Sequence, residues 1–321
     1  MSLRVVMMGT GTFAKPAFQA LIDSNHEVVG LVTQPDRTGR GHHQHVNELK
    51  EVALADQISV FQPEKVNQPE SLEQLRAFHA DIFVVAAYGQ ILSGELLRIP
   101  HLGAINLHGS LLPKYRGAAP VQYAVLKGET ESGVSIFQIE PKLDAGPILG
   151  VVKTDIGLKE TSGQLHDRLA ELAAPLTLEV LTGLEDGTVN KTYQDPAQVT
   201  QAPKIRKEQG LIDWTKSNAE IICHVRGMQP WPMPYTFLNS PTTKSKRMLI
   251  LDVAPVADNL QRQVTSFLPG ESLQQDDRVF VRTGDSALEV LQLQPAGKRT
   301  MSASDFSRGH SLERFRFGNE T

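Results

Sequence analysis

The first half of this chain alternates between two hydrophobic periods, and that alternation restricts its fold more than any other feature. Apolar runs at Leu3 to Met8, Glu27 to Thr33, Ile58 to Phe61, Ile82 to Ala87 and Leu102 to Leu107 read as strands. Between the first four lie helical segments, Ala14 to Ile22, Val46 to Ala55 and Pro69 to Phe78. Strands that are apolar on both faces need cover on both, and strand–helix–strand connections are right-handed. The expected fold class is therefore α/β, with a doubly wound, mostly parallel, Rossmann-like sheet. A helix near Val121 to Leu126, strands Val134 to Ile139 and Ile148 to Thr154, and a long helix from Ser162 to Leu184 continue the pattern. Residues 185 to 210 are polar and contain Pro196 and Pro203, the composition of a linker. After a helix near Ala219 to Gly227 come the short strand-like runs Met248 to Val253, Val279 to Thr283 and Ala287 to Gln292, as in a smaller OB-like β-barrel. The expected boundaries are a first domain at 1–190, a linker at 191–207 and a second domain at 208–321.

A chain of 321 residues, 40% of them hydrophobic, is long enough for two cores. A lone cysteine, Cys223, excludes an internal disulfide and argues against a cysteine-based zinc site. The start runs directly into a strand and no apolar stretch is long enough to span a bilayer, so a cytoplasmic protein without a membrane partner is expected. The net charge of -4 is unevenly divided: residues 1–203 carry -7 and residues 204–321 carry +3. A polyanion would prefer the second part, although +3 also suits an ordinary solvated surface.

The chemistry-bearing stretch is Asn106-Leu107-His108-Gly109-Ser110-Leu111-Leu112-Pro113-Lys114-Tyr115-Arg116-Gly117. Residues two apart on a strand share a face, so Asn106 and His108 project together where β-strand gives way to loop. In an open parallel sheet that end borders the ligand crevice. A His there can move a proton near neutral pH, and an Asn can hold a developing oxyanion. An isolated Asn-x-His more often caps a loop and packs. Here, however, Asn-x-His-x-Ser-Leu-Leu-Pro-x-x-Arg-Gly resembles the signature of the folate-dependent formyltransferases. The segment Ser135-Ile136-Phe137-Gln138-Ile139-Glu140-Pro141-Lys142-Leu143-Asp144-Ala145-Gly146-Pro147 is similar to the family's second motif, apart from Pro141-Lys142 where the family usually has a Gly.

The resemblance implies that Asn106, His108 and Asp144 carry formyl transfer from 10-formyltetrahydrofolate to an amine, without metal. It implies an oxyanion held by Asn106 and by His108 as imidazolium, with Asp144 raising the His108 pKa. Folate contacts are implied for Ser110, Leu111, Leu112 and Pro113, and for Tyr88, Gly89 and Ile91 in the glycine turn after the Val84 to Ala87 strand. Gly117-Ala118-Ala119-Pro120 fits the branch of the family that acts on tRNA, as do Ile212-Asp213-Trp214, Pro230-Trp231-Pro232 and Leu293-Gln294-Pro295-Ala296-Gly297-Lys298. The implied acceptor is initiator methionyl-tRNA, met by a monomer. Arg40 on the first long loop and Lys204, Lys207, Lys298 and Arg299 near the second domain are the candidate tRNA contacts.

Other motifs have plainer readings. Gly9-Thr10-Gly11-Thr12-Phe13-Ala14 matches G-x-G-x-x-A, but the second strand ends in Gln34-Pro35-Asp36 with no acid at its tip for a ribose, which weighs against a dinucleotide site. Gly11 also departs from the Gly-Thr-Pro-x-Phe usual in the family. His42, His43 and His45 crowd one polar loop, where the family commonly carries lysines, and no carboxylate follows to complete a metal set. Trp214, Trp231 and the Cys223-His224 pair read as core.

Overall fold

The computed structural model describes residues 2–36, 47–240, 244–257, 263–310 and 315–320. The chain divides into two compact units. The first comprises Met1–Pro120, Glu131–Asp155 and Gln164–Pro203, and the second Val121–Thr130, Ile156–Gly163 and Lys204–Thr321.

In the first unit, strands β1 (Arg4–Gly9), β2 (Glu27–Val32), β3 (Val60–Phe61), β4 (Ile82–Ala86), β5 (Ala104–His108), β6 (Glu131–Gln138) and β7 (Ile148–Asp155) form one sheet in the order β3-β2-β1-β4-β5-β6-β7. The first five are parallel, as the alternation requires. Val5, Val6, Met7 and Met8 are fully buried, so β1 is covered on both faces. Helices α1 (Lys15–Ile22), α2 (Glu48–Ala55), α3 (Pro69–Ala77) and α4 (Gly94–Leu97) make the crossovers. The Asn47 side chain caps α2 by accepting from the Lys50 amide at 3.2 Å. Strands β6 and β7 run antiparallel, β6 against β5 and β7 against β6, and residues 139–147 join β6 to β7 as a hairpin. Helix α6 (Ser162–Glu185) follows β7.

Residues 191–203 do not hang free as a linker. They close on the first unit: the Thr192 and Ile148 backbones exchange hydrogen bonds of 2.9 and 2.8 Å, and Arg116 exchanges main-chain bonds with Thr200 and Ala202 at 2.9 and 2.7 Å. The longest run of the second unit begins at Lys204.

That second unit also contains helix α5 (Pro120–Leu126) from Val121 onward, despite its place early in the chain. A Cβ on Gly227, the last residue of α7 (Asn218–Gly227), would lie 2.7 Å from the Leu126 side chain, so the two helices meet where only glycine fits. Strands β8 (Tyr235–Asn239), β9 (Lys246–Pro255), β10 (Ser272–Gln275), β11 (Arg278–Arg282), β12 (Ala287–Pro295), β13 (Met301–Ser302) and β14 (Arg316–Gly318) are antiparallel. Their order is β10-β11-β12-β9-β8-β14, with β13 pairing β12. A bridge between Glu271 and Arg316, with the Phe317 amide donating to the Gly270 carbonyl at 2.7 Å, returns the ladder to its start and closes an OB-like barrel. Trp214 is buried in its core, donating Nε1–H to Thr236 Oγ1 at 3.1 Å and meeting the Phe317 ring edge-on. Trp231 is not core as its type suggests: it is 50% exposed, held beside a rigid Pro-Trp-Pro backbone whose carbonyl accepts from Gln122 Nε2.

Candidate active site

Strand β5 sets the site by register. Asn106 pairs across the antiparallel ladder with Phe137, and His108 with Ser135, so these four residues occupy one face of the sheet. His108 is 6% exposed and meets the Phe137 ring edge-on at 6.2 Å. Residues 139–147 leave β6 next to Ile105, the far end of β5 from His108, and fold back over that face. The return places Asp144 Oδ2 3.9 Å from His108 Nδ1.

Three main-chain constraints hold the returning loop. Asp144 adopts φ 48°, a left-handed conformation uncommon for a residue with a side chain, and its Oδ2 accepts from the Gly117 amide at 2.7 Å. Gly117 itself sits at φ 125°, where a Cβ would lie 2.6 Å from the Ala202 carbonyl oxygen. A Cβ on Gly146 would lie 1.8 Å from the Gln138 carbonyl oxygen, so the Ala-Gly-Pro that follows Asp144 is a steric requirement. No residue in Pro141-Lys142-Leu143 needs positive φ, which explains why this chain tolerates Pro141-Lys142 there.

The loop after β5 is fastened from below by Ser135. Its hydroxyl, fully buried, donates to the Ser110 carbonyl at 2.8 Å and accepts from the Leu112 amide at 3.0 Å. Ser110 is also buried and spends its own hydroxyl on the Lys114 carbonyl at 2.7 Å. Leu112 packs with Phe137 and Ile148, while Leu111 and Pro113 are half-buried. At the turn after β4, Ala87 and Gly89 have φ of 49° and 85° and flank Tyr88. The Tyr88 ring is buried with its hydroxyl unbonded, and burial pushes the phenol pKa up. Its carbonyl accepts from Gln34 Nε2 at 3.0 Å. Ile91, by contrast, is 84% exposed.

Electrostatics bear on the resting state of His108. His108 does not rest as an imidazolium: burial outweighs the Asp144 charge and the Tyr115 carbonyl, and with the Arg116 guanidinium adding repulsion it drives the His108 pKa below its ordinary 6.5. His108 is therefore neutral at pH 7. A carbonyl only accepts, so the ring's Nε2 carries the proton and donates it to the Tyr115 oxygen at 2.9 Å. Nδ1 is left with its lone pair on the side of Asp144. The Asn106 amide has no hydrogen-bond partner among the described residues and is partly exposed, so its two N–H groups are available to a ligand.

Three site residues escaped sequence reasoning. Ser135 could have been found, as a polar residue that shares the apolar run Val134 to Ile139 only with Gln138 at its end. Gln194 and Thr200 carried no signal, because polar residues in a Pro-containing stretch read as linker. Arg40, His42, His43 and His45 lie outside the described residues. Lys204, Lys207, Lys298 and Arg299 are exposed in the second unit, and none pairs with a carboxylate among the described residues. No cluster of metal-ligating side chains occurs among the described residues, and none of their helices is long and apolar enough to cross a membrane.

Two family models match successive stretches of the chain. A family model described as formyl transferase matches residues 2–181, and one described as formyl transferase, C-terminal domain, matches residues 204–311. A curated methionyl-tRNA formyltransferase from Methylococcus capsulatus is 41% identical over 317 residues, spanning 98% of this chain and 100% of the relative. One from Bacillus licheniformis is 42% identical over 316 residues, spanning 97% and 96%. Among solved structures, an N-formyltransferase from Helicobacter canadensis with folinic acid and dTDP-3-aminofucose has TM-score 0.64 at 15% identity, covering 91% of this chain and 99% of that one. HypX from Aquifex aeolicus with tetrahydrofolic acid has TM-score 0.61 at 15% identity, covering 96% and 47%. The two structures share the fold.

Proposed function

The chain belongs to the formyl transferase family, and from that premise we propose that it moves the formyl group of 10-formyltetrahydrofolate to the α-amine of initiator methionyl-tRNA, giving N-formylmethionyl-tRNA for translation initiation. The observation that carries this reading is the meeting of three groups over one sheet face: an Asn106 amide without a hydrogen-bond partner among the described residues, a neutral His108, and Asp144 3.9 Å from its Nδ1.

The chemistry follows from those groups. The methionyl amine attacks the formyl carbon, a C–N bond forms, and the carbonyl electron pair moves to oxygen. Asn106 donates N–H to that oxyanion, a contribution worth about a hundredfold or more in rate. His108 takes the amine proton on Nδ1, and the imidazolium so formed lies beside the Asp144 carboxylate, which favours the charge that burial disfavours. Collapse restores the carbonyl, breaks the bond from carbon to N10, and returns the proton to N10. The imidazolium of the sequence expectation thus belongs to the reaction and not to the resting protein.

Ser110, Leu111, Leu112 and Pro113 shape the loop beside which the donor lies, through backbone groups rather than the spent Ser110 hydroxyl. Tyr88, Gly89 and Ile91 form the pteridine side: the exposed Ile91 offers an apolar face, and Tyr88 acts through its main chain. Arg40, Lys204, Lys207, Lys298 and Arg299 meet tRNA phosphates. The protein works as a cytoplasmic monomer with folate and the charged tRNA as its partners, and residues 208–321 serve tRNA binding beside a catalytic domain at 1–190. Replacement of Asn106 or His108 by Ala, assayed for formyl transfer, tests the assignment: near-normal turnover in either variant rejects it.

A further inference from the structure

We propose that Gln194 is a positioning residue for Asp144, the centre of a hydrogen-bonded clasp that fixes the carboxylate against His108. Its side-chain amide uses every hydrogen-bonding position it has. Nε2 donates to the carbonyls of Asp144 at 2.9 Å and Gly146 at 2.8 Å. Oε1 accepts from Arg116 Nε at 3.1 Å and Nη2 at 2.8 Å. An amide has two donor hydrogens and two acceptor lone pairs, so none is left over.

These bonds close a ring. From Gln194 it runs to Asp144, from the Asp144 carboxylate to the Gly117 amide at 2.7 Å, and through the chain to Arg116 and back to Gln194. The ring joins three segments far apart in sequence, all within the first unit. Two of its main-chain positions are left-handed, Asp144 at φ 48° and Gly117 at φ 125°. A residue with a side chain reaches that conformation only when its surroundings impose it, at a cost on the order of 1–3 kcal/mol. The two carbonyls that Gln194 grips bracket the chain just at and after Asp144.

Arg116 supplies the second half of the inference. Arg116 is 6% exposed, and among the described residues no carboxylate lies within ion-pair distance of its guanidinium. A buried cation held only by an amide oxygen is expensive. The arrangement gains something for that cost: the acceptor is neutral and adds no second carboxylate beside Asp144, while Arg116 opposes a resting proton on His108. A carboxylate at 194 would pair with Arg116 but could not donate to either carbonyl, which separates the two halves of the clasp by one isosteric change.

The inference rests on the formyl-transfer reading, and the test separates the two. Gln194→Glu is made alone and in an Asp144→Ala background, and each protein is assayed for formylation of methionyl-tRNA with its thermal midpoint recorded. In the otherwise unaltered protein, kcat falls roughly ten- to a hundredfold at unchanged KM for both substrates, the loss expected when a reacting group is displaced by about 1 Å. In the Asp144→Ala background the same change costs less than about twofold, because the group it positions is gone. Equal losses in both backgrounds, or none in the first, overturn the positioning role and leave formyl transfer intact. An unaltered protein without formyl transfer overturns the reading beneath it.

Discussion

His108 carries opposing influences whose balance decides its role. Burial and Arg116 push its pKa down, and Asp144 and the Tyr115 carbonyl push it up, with burial the largest. A base with a depressed pKa stays ready through neutrality and is lost only when protonated in acid. The kcat for formyl transfer, read at saturating substrates so that the free acceptor amine's own titration at about 7.7 does not enter, is therefore expected to be flat around pH 7 and to fall on an acid limb below the ordinary 6.5. Asp144→Asn removes the charge that favours the imidazolium, so the limb moves to still lower pH while the plateau falls by about a hundredfold or more. A limb at or above 6.5 in the unaltered protein refutes a neutral resting His108. That Asp144 meets His108 was legible because each lies in a short motif whose residues can be read locally. The protonation state of His108 was not, because it follows from burial by Phe137 and the returning loop, which no short stretch of sequence contains.

At the scale of elements, the site is a strand end framed by two loops and tied by a third segment. The Tyr115 amide donates to Thr200 Oγ1 at 2.8 Å, with Tyr115 at φ 61°, so Thr200 helps hold the carbonyl that receives the His108 proton. Thr200→Val removes that acceptor; stability should fall by about 1–3 kcal/mol, read from urea unfolding, and turnover should fall with it. Gly146→Ala meets the Gln138 carbonyl directly and should cost more, with loss of activity at growth temperature. An unchanged urea midpoint in Thr200→Val would show that the segment 191–203 is not a tie, and one in Gly146→Ala that the returning loop has room for a Cβ. The parallel half of the sheet was written in the alternation of apolar runs. The antiparallel β6–β7 hairpin was less legible, since an apolar strand reads alike in either direction. The tie was hidden altogether, because its residues act through single hydrogen bonds and have no hydrophobic period.

At the scale of the molecule, two compact units share one chain that passes between them more than once. Val121–Thr130 and Ile156–Gly163 belong with the C-terminal residues: Ser162 Oγ donates to the Gly227 carbonyl at 2.9 Å, and Leu126 packs on Gly227. A fragment ending at Pro203 would strip those segments of their partners and is expected to melt well below the whole chain and to aggregate; a fragment as stable as the whole would contradict this division. A linear reading of domains misses such passages, because a helix's sequence records its own apolar face and not which core receives it. The excess of +3 in residues 204–321 predicts salt-sensitive tRNA binding. Replacing Lys204, Lys207, Lys298 or Arg299 singly with Ala should lower the slope of log affinity against log salt by about one where the residue meets a phosphate. The central claim is tested most directly by one competition: 10-formyltetrahydrofolate offered with initiator methionyl-tRNA, free methionine, glycinamide ribonucleotide and an amino-sugar nucleotide. Formyl transfer to the charged tRNA alone is the predicted result, and transfer to one of the small amines in its place would contradict it.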